Sequence, residues 1–307
     1  MMEVSTPRIT PVRASLIDTQ ADILAFASEA ISEGPVALAT LVEIRGSASK
    51  ALGSHVAVAA DGRYVGYVSG GCVEAAVAAE ALSAMSEGED RIVLFGEGSP
   101  YFDIVLPCGG GISVAIHVVK DGGALRGVLE RLRERCPCGL MYDRARRLLT
   151  LADTYPASIG WSGDVFSTGY TPNIRLLISG TGADANALAR LAATSGYDVG
   201  LLDPYNCVSA AETIDPSTAV ALLHHDIDIE ERILPVLLNT RAFYIGALGS
   251  RRTHVRRVQR LEAIGMSRDA IGRIRAPIGL FGPTRDAASL ALSILADIAA
   301  TERSRRF

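Results

Sequence analysis

Apolar positions in the first half of the chain follow short-range periods that change every ten to fifteen residues. Over residues 16–32, Leu16, Ile17, Ile23, Leu24, Phe26, Ala27, Ala30 and Ile31 recur at helical spacing and stop at Gly34-Pro35, which predicts a first helix. Residues 36–44 are β-rich. Residues 55–60 and 63–68 flank Asp61-Gly62, a dipeptide suited to a tight hairpin. The run Glu74-Ala-Ala-Val-Ala-Ala-Glu-Ala-Leu-Ser-Ala-Met85 consists mostly of strong helix formers. Strands over 91–95 and 111–119, a helix over 124–135 and a hairpin over 139–151 turning near Asp143 complete an α+β region.

The pattern then changes. Residues 152–172 are rich in Ser, Gly, Thr and Pro without a clear period, and predict a linker. Beyond it, Ile174-Arg-Leu-Leu-Ile-Ser179 is apolar without alternation, as in a strand covered on both faces. Helices over 186–195, 229–238, 250–261 and 284–300 alternate with strands over 198–203, 219–223 and 243–249, with Thr284 capping the last helix. The fold class is therefore α/β: an N-terminal α+β domain over 15–151, a linker over 152–172, and a Rossmann-like domain with a mostly parallel sheet over 173–302.

Composition narrows the function. At 307 residues two cores are expected, and 49% hydrophobic with 21% charged residues places the chain among globular proteins. A net charge of -4 argues against nucleic acid or an anionic membrane as partner. No apolar run of signal-peptide or membrane-spanning length occurs, so a soluble cytoplasmic protein is expected. Five cysteines, an odd number, favour reduced thiols. Cys136-Pro-Cys138 has one residue between its thiols and fits a structural zinc site poorly.

Two stretches carry the most distinctive chemistry. Tyr67-Val-Ser-Gly-Gly-Cys-Val-Glu74 and Leu106-Pro-Cys-Gly-Gly-Gly-Ile112 each set a thiol beside paired glycines at a strand end, where bare backbone N–H groups can face a ligand. They read as halves of one site, with Cys72 in the first turn of a helix whose dipole and amides would stabilise a thiolate. The competing reading makes Cys72 and Cys108 small core residues beside turn glycines. Between them, Arg45-Gly-Ser-Ala-Ser-Lys-Ala-Leu-Gly-Ser54 has the composition to hold a phosphate, although a solvated turn explains it equally and it lacks Walker spacing.

The second half carries a nucleotide signature. Gly180-Thr-Gly182-Ala-Asp-Ala185 sits between a strand and a helix, and Asp203 ends the next strand, where it would accept from ribose hydroxyls and disfavour a 2′-phosphate. His224 and His225 end a third strand on the crevice side, with a hydrogen-bonding role ahead of a metal one for His225. At Gly249-Ser250-Arg251-Arg252, amides and two guanidinium groups would converge on an anion. Arg256, Arg257 and Arg260 read as a solvated face. On these features alone, an NAD-dependent oxidoreductase remains the alternative to a cofactor carrier.

Several stretches agree on one family. Glu43-Ile-Arg-Gly-Ser, Val68-Ser-Gly-Gly-Cys-Val-Glu74, Tyr244-Ile-Gly-Ala-Leu-Gly-Ser-Arg-Arg-Thr253, Ala276-Pro-Ile-Gly-Leu280 and Leu290-Ala-Leu-Ser-Ile-Leu-Ala-Asp297 resemble the XdhC/CoxI family of xanthine and carbon-monoxide dehydrogenase maturation factors. Cys108-Gly109-Gly110 looks like the family's second motif. The resemblance implies a chaperone without turnover of its own, which binds the molybdenum cofactor (molybdopterin or its dinucleotide form), assists its sulfuration by a cysteine desulfurase and passes it to a molybdenum hydroxylase. It implies cofactor contacts at Ser69, Gly70, Gly71, Cys72, Glu74, Cys108, Gly109, Gly110, Gly180, Gly182, Asp203, His225, Gly249, Ser250, Arg251 and Arg252, with Cys72 touching molybdenum, and a homodimer. Where the family usually has proline and arginine after Gly-Ser-Ala, this chain has Ser49 and Lys50.

Overall fold

The computed structural model describes residues 9–97, 99 and 109–306. It divides into two compact units, Met1–Pro172 and Asn173–Phe307.

The first unit runs β1 (Val12–Arg13), α1 (Gln20–Ala30), β2 (Val36–Arg45), β3 (His55–Ala59), β4 (Arg63–Gly66), α2 (Glu74–Glu87), β5 (Arg91–Gly96), β6 (Gly111–Val119), α3 (Gly123–Arg133), β7 (Cys138–Asp143), β8 (Leu148–Ala152), β9 (Gly160–Ser162) and β10 (Val165–Tyr170). One sheet has the order β1-β4-β3-β2-β6-β5 and the other β8-β7-β10-β9. Successive residues of β2 enter different cores, which is why this strand shows no polar alternation. Ala37, Ala39 and Leu41 pack with Val77, Ala78 and Ala81 of α2. Val36 and Leu38 pack on the other face with Ile23, Leu24 and Ala27 of α1 and with Leu140 and Tyr170 of the second sheet. Helix α1 starts at Gln20 because the Thr19 side chain accepts from the Asp22 N–H, so Leu16 lies outside it and is 79% exposed.

The expected linker over 152–172 is corrected. Strand β10 pairs antiparallel with β7 along its length, from Val165↔Asp143 to Tyr170↔Cys138, and β9 pairs with β10. Phe166, Thr168 and Tyr170 are buried at strand period. The polar Thr and the intervening Ser167 and Gly169 hide that period from a purely apolar reading.

The second unit runs β11 (Arg175–Ser179), α4 (Ala183–Thr194), β12 (Asp198–Leu201), α5 (Cys207–Ala211), β13 (Thr218–Leu222), α6 (Ile227–Leu238), β14 (Tyr244–Ala247), α7 (Arg251–Ala263), α8 (Arg268–Ile271), β15 (Ile274–Arg275) and α9 (Ala287–Arg306). Its five strands pair in the order β12-β11-β13-β14-β15, all parallel. Along β13, Val220 and Leu222 face α6 and α7 while Ala219 and Ala221 face α4 and α9. Helix α9 is capped by Asp286, whose Oδ1 accepts from the Ser289 N–H at 2.8 Å, so the expected cap at Thr284 is corrected.

Candidate functional site

In the first unit the site is built on one end of the larger sheet. The antiparallel pairings Arg45↔Gly111, Gly96↔Gly111 and Val56↔Gly66 bring the ends of β2, β4 and β5 and the start of β6 to that end. The chain leaves β4 into the Ser69-Gly-Gly-Cys72 loop, with Gly70 and Gly71 at φ 87° and 121°.

One buried carboxylate shapes this loop. Glu74, 0% exposed at the start of α2, accepts through Oε1 from the N–H groups of Val68 (3.0 Å), Ser69 (2.8 Å) and Gly70 (3.1 Å), and through Oε2 from that of Val73 (3.2 Å). The Ser69 hydroxyl donates to the same carboxylate and accepts from the N–H groups of Cys72 (3.2 Å) and Val73 (3.1 Å). Burial pushes the Glu74 carboxyl up. The amides of Ser69, Glu74 itself and Val68, with the Ser69 hydroxyl, outweigh it and hold the group below the ordinary carboxylate range.

Two expectations change as a result. Glu74 as a cofactor contact is corrected, because both its oxygens are spent on the loop that carries Cys72. The amides of Ser69, Gly70 and Cys72, expected to face a ligand, face the carboxylate or the Ser69 hydroxyl, as do those of Val68 and Val73. Cys72 itself is exposed and lies ahead of α2 rather than in its first turn, which corrects the helix-turn placement. The thiol opens to the surface, and a side chain added at the neighbouring Gly71 would meet open space.

Cys108 lies outside the described residues. Of the second motif, Gly109 is exposed and open, while Gly110 is pressed against the loop after β2. A Cβ on Gly110 would sit 2.5 Å from the Arg45 carbonyl oxygen and 2.6 Å from that of Ser47. Two residues on, the Ser49 hydroxyl donates to the Ser69 carbonyl. The residue 46–49 segment thus touches both glycine motifs, and Ser49, a departure from the family pattern, supplies a tie to the thiol loop. Both cations that flank the segment already have partners. Lys50 pairs with Asp18 at 2.7 Å, and Arg45 donates to Glu43, Ser113 and the Glu97 carbonyl.

In the second unit the predicted residues separate into two groups on the sheet's carboxyl end. Gly180 turns the chain at φ 145°, and an added Cβ would lie 3.0 Å from that of Leu223, so its lack of a side chain also serves packing against the end of β13. Ser179 and His224 close the same place with a 2.8 Å hydrogen bond, and burial pushes the His224 imidazole below its ordinary pKa. Gly182 precedes α4 at φ 92°. Asp203 follows β12, is exposed, and accepts through Oδ1 from the Tyr205 N–H.

The second group does converge. His225, Gly249, Ser250 and Arg251 line one cleft of about 680 Å³ with Leu248 and the residue 277–284 loop. Arg252 is exposed beside it. Beneath the cleft, Arg257 is corrected from a solvated residue to a buried one. It forms a two-pronged pair with Glu230 (2.6 and 2.9 Å) and donates to the Leu248 carbonyl at 2.7 Å. A charge on the apolar face of a helix was the signal for both: Glu230 precedes the buried Ile233, Leu234 and Leu237, and Arg257 lies four residues before the buried Leu261. Among the described residues no group of three or more His, Cys, Asp or Glu side chains gathers to hold a metal, and no helix is long and apolar enough to cross a membrane.

An α+β unit presenting a glycine-flanked thiol, followed by a parallel Rossmann-type unit, defines the class. Residues 30–96 match the XdhC and CoxI family and residues 176–298 match the XdhC Rossmann domain. The chain belongs to the XdhC and CoxI family. It is 48% identical over 290 residues to the Molybdenum cofactor insertion chaperone PaoD of Escherichia coli (strain K12), covering 94% of this chain and 91% of that protein. It is 25% identical to a probable xanthine dehydrogenase component of Bacillus subtilis (strain 168), over 87% of this chain and 93% of that one. The crystal structure of a xanthine dehydrogenase from Bacillus halodurans shares the fold, with a TM-score of 0.72 and 22% identity, over 93% of this chain and 96% of that one.

Proposed function

We propose that the chain is a molybdenum cofactor insertion chaperone that delivers its cargo to a molybdenum hydroxylase in the cytoplasm. The observation that carries this reading is the near-full-length, 48% identical match to the insertion chaperone PaoD. The first unit fits such a cargo. The exposed Cys72 thiol is a soft donor of the kind that suits a sulfur-bound metal centre, and the neighbouring Gly71 leaves open space beside it. Glu74 and Ser69 fix the loop so that the thiol is presented without having to order on binding. Gly70, Gly71 and Gly109 would line the approach.

Within the same proposal, the cargo is sulfurated by a cysteine desulfurase while the chaperone holds it, and the chain works as a homodimer. NAD has no part in this reading. The test is reconstitution: a hydroxylase lacking its cofactor is incubated anaerobically with cofactor, with and without this chain. Faster or fuller recovery of hydroxylase activity with the chain is expected. Recovery indifferent to the chain would reject the proposal.

A further inference from the structure

The cleft beside α7 is not the dinucleotide turn at Gly180 and Gly182, yet it is the place where the second unit gathers a charged wall and an apolar wall. Its volume, about 680 Å³, lies within the range of small-ligand sites, roughly 300–1,000 Å³. On one wall stand Gly249 and Ser250, the start of the thirteen-residue α7, with Arg251 and His225. No carboxylate belongs to the lining among the described residues.

On the other wall, Leu280 and Phe281 are 60% and 50% exposed although their backbone is firmly held. The Ser293 hydroxyl accepts from the Phe281 N–H (3.0 Å) and donates to the Phe281 carbonyl (2.6 Å), and the Leu280 N–H donates to the Ser293 carbonyl (3.0 Å). The floor is equally fixed, since Leu248 donates to Leu222 and accepts from the buried Arg257. Large apolar side chains facing an anion-attracting helix start across a rigid cleft suit a ligand with both characters.

We propose that this cleft binds a phosphorylated planar heterocycle of the nucleoside monophosphate class. Its phosphate lies on Arg251 and the α7 amides, and its ring lies against Phe281 and Leu280. The ligand is either a free nucleotide or the nucleotide arm of the cargo, and the second source rests on the function proposed above.

Calorimetry on the full chain with cytidine, adenosine and guanosine monophosphates, and with inorganic phosphate, tests this. Saturable binding of a nucleotide is expected. Arg251→Ala should weaken it about tenfold or more, the loss of one charge-assisted contact, and Phe281→Ala about fivefold, the loss of a stacking face. Both side chains are exposed, so neither change threatens the fold. Asp203→Asn, at the other turn, should leave affinity unchanged.

Absence of binding by any nucleotide at millimolar concentration would overturn the inference. So would binding that Asp203→Asn abolishes and Arg251→Ala spares, or phosphate binding as tight as nucleotide with no effect of Phe281→Ala. Molybdenum and pterin retention, measured in parallel, separates the two readings. A chain that retains cargo in both wild-type and Arg251→Ala form but binds no nucleotide refutes the inference alone. A chain that binds nucleotide at this cleft but never retains cargo refutes the chaperone reading alone. A bound nucleotide that blocks loading of the dinucleotide cofactor assigns the cleft to the cargo's arm, and undisturbed loading assigns it to a free nucleotide.

Discussion

Replacing Glu74 with glutamine tests how the thiol loop is held. The carboxylate accepts from Val68, Ser69 and Gly70 at 3.0, 2.8 and 3.1 Å through one oxygen and from Val73 at 3.2 Å through the other. Glutamine keeps one neutral acceptor and turns an NH2 donor toward groups that are themselves donors. A hydrogen bond to a charged group contributes about 1.5–3 kcal/mol against about 1 for a neutral one, so three weakened contacts and one donor facing Val73 total roughly 3 kcal/mol. Gly70 is exposed and its amide rehydrates on opening, which lowers the expected loss to about 2–3 kcal/mol. The chain's single tryptophan, Trp161, packs against Phe166 and Tyr142 in the same unit. Its fluorescence during urea unfolding therefore reports the unit that Glu74 stabilises.

The pH dependence follows from the sign of the shift. Because the folded-state pKa lies below the ordinary value of 4.5, the stabilisation is complete above that value and is lost as pH falls through the depressed pKa. The gap between wild type and Glu74→Gln should be full at pH 7 and shrink under acid. Amide exchange at Val68, Ser69, Gly70 and Val73 should accelerate in the variant at neutral pH. Equal urea midpoints for the two proteins at pH 7, with unchanged exchange in the loop, would refute the reasoning.

Other consequences are as specific. Arg257→Leu strands the buried Glu230 carboxylate and should cost about 3–5 kcal/mol, read as early loss of amide protection in the second unit alone. His55 is buried between Thr40 and Tyr170, and burial lowers its pKa to about 3, so it stays neutral in the fold while the unfolded chain takes up a proton below about 6.5. His55 should therefore contribute about 1.4 kcal/mol per pH unit to the loss of stability on acidification between pH 6 and 4, and His55→Gln should reduce the slope by that amount in pH-dependent urea unfolding. Gly110→Ala drives a methyl group into the Arg45 and Ser47 carbonyl oxygens at 2.5 and 2.6 Å, and should lower the urea midpoint by an amount worth about 1–3 kcal/mol.

The elements with one clear period were legible in the sequence. The Ala-rich α2 and the unbroken apolar strands β2, β6 and β11 stand where their patterns put them. The strand β10 was not legible because its buried face includes Thr168, and its partner β7 precedes it by more than twenty residues. The glycine and cysteine motifs marked the right loops, but the direction of their amides depended on Glu74, whose burial no local pattern gives. Arg257 looked solvated because a buried arginine needs a partner on another helix, and Glu230 lies on α6. The cleft beside α7 needed the residue 277–284 loop folded back over a strand end, a contact set by the sheet order rather than by any motif.

Cargo retention tests the chaperone reading most directly. Wild-type chain and Cys72→Ala are incubated anaerobically with molybdenum cofactor, separated from unbound material by gel filtration, and assayed for molybdenum and pterin. The exposed position of Cys72 makes the substitution structurally silent, so an unchanged Trp161 unfolding curve accompanies it. Wild type should carry both metal and pterin, while Cys72→Ala should lose both. Equal molybdenum on both proteins, or none on either, would contradict a thiol-held cargo.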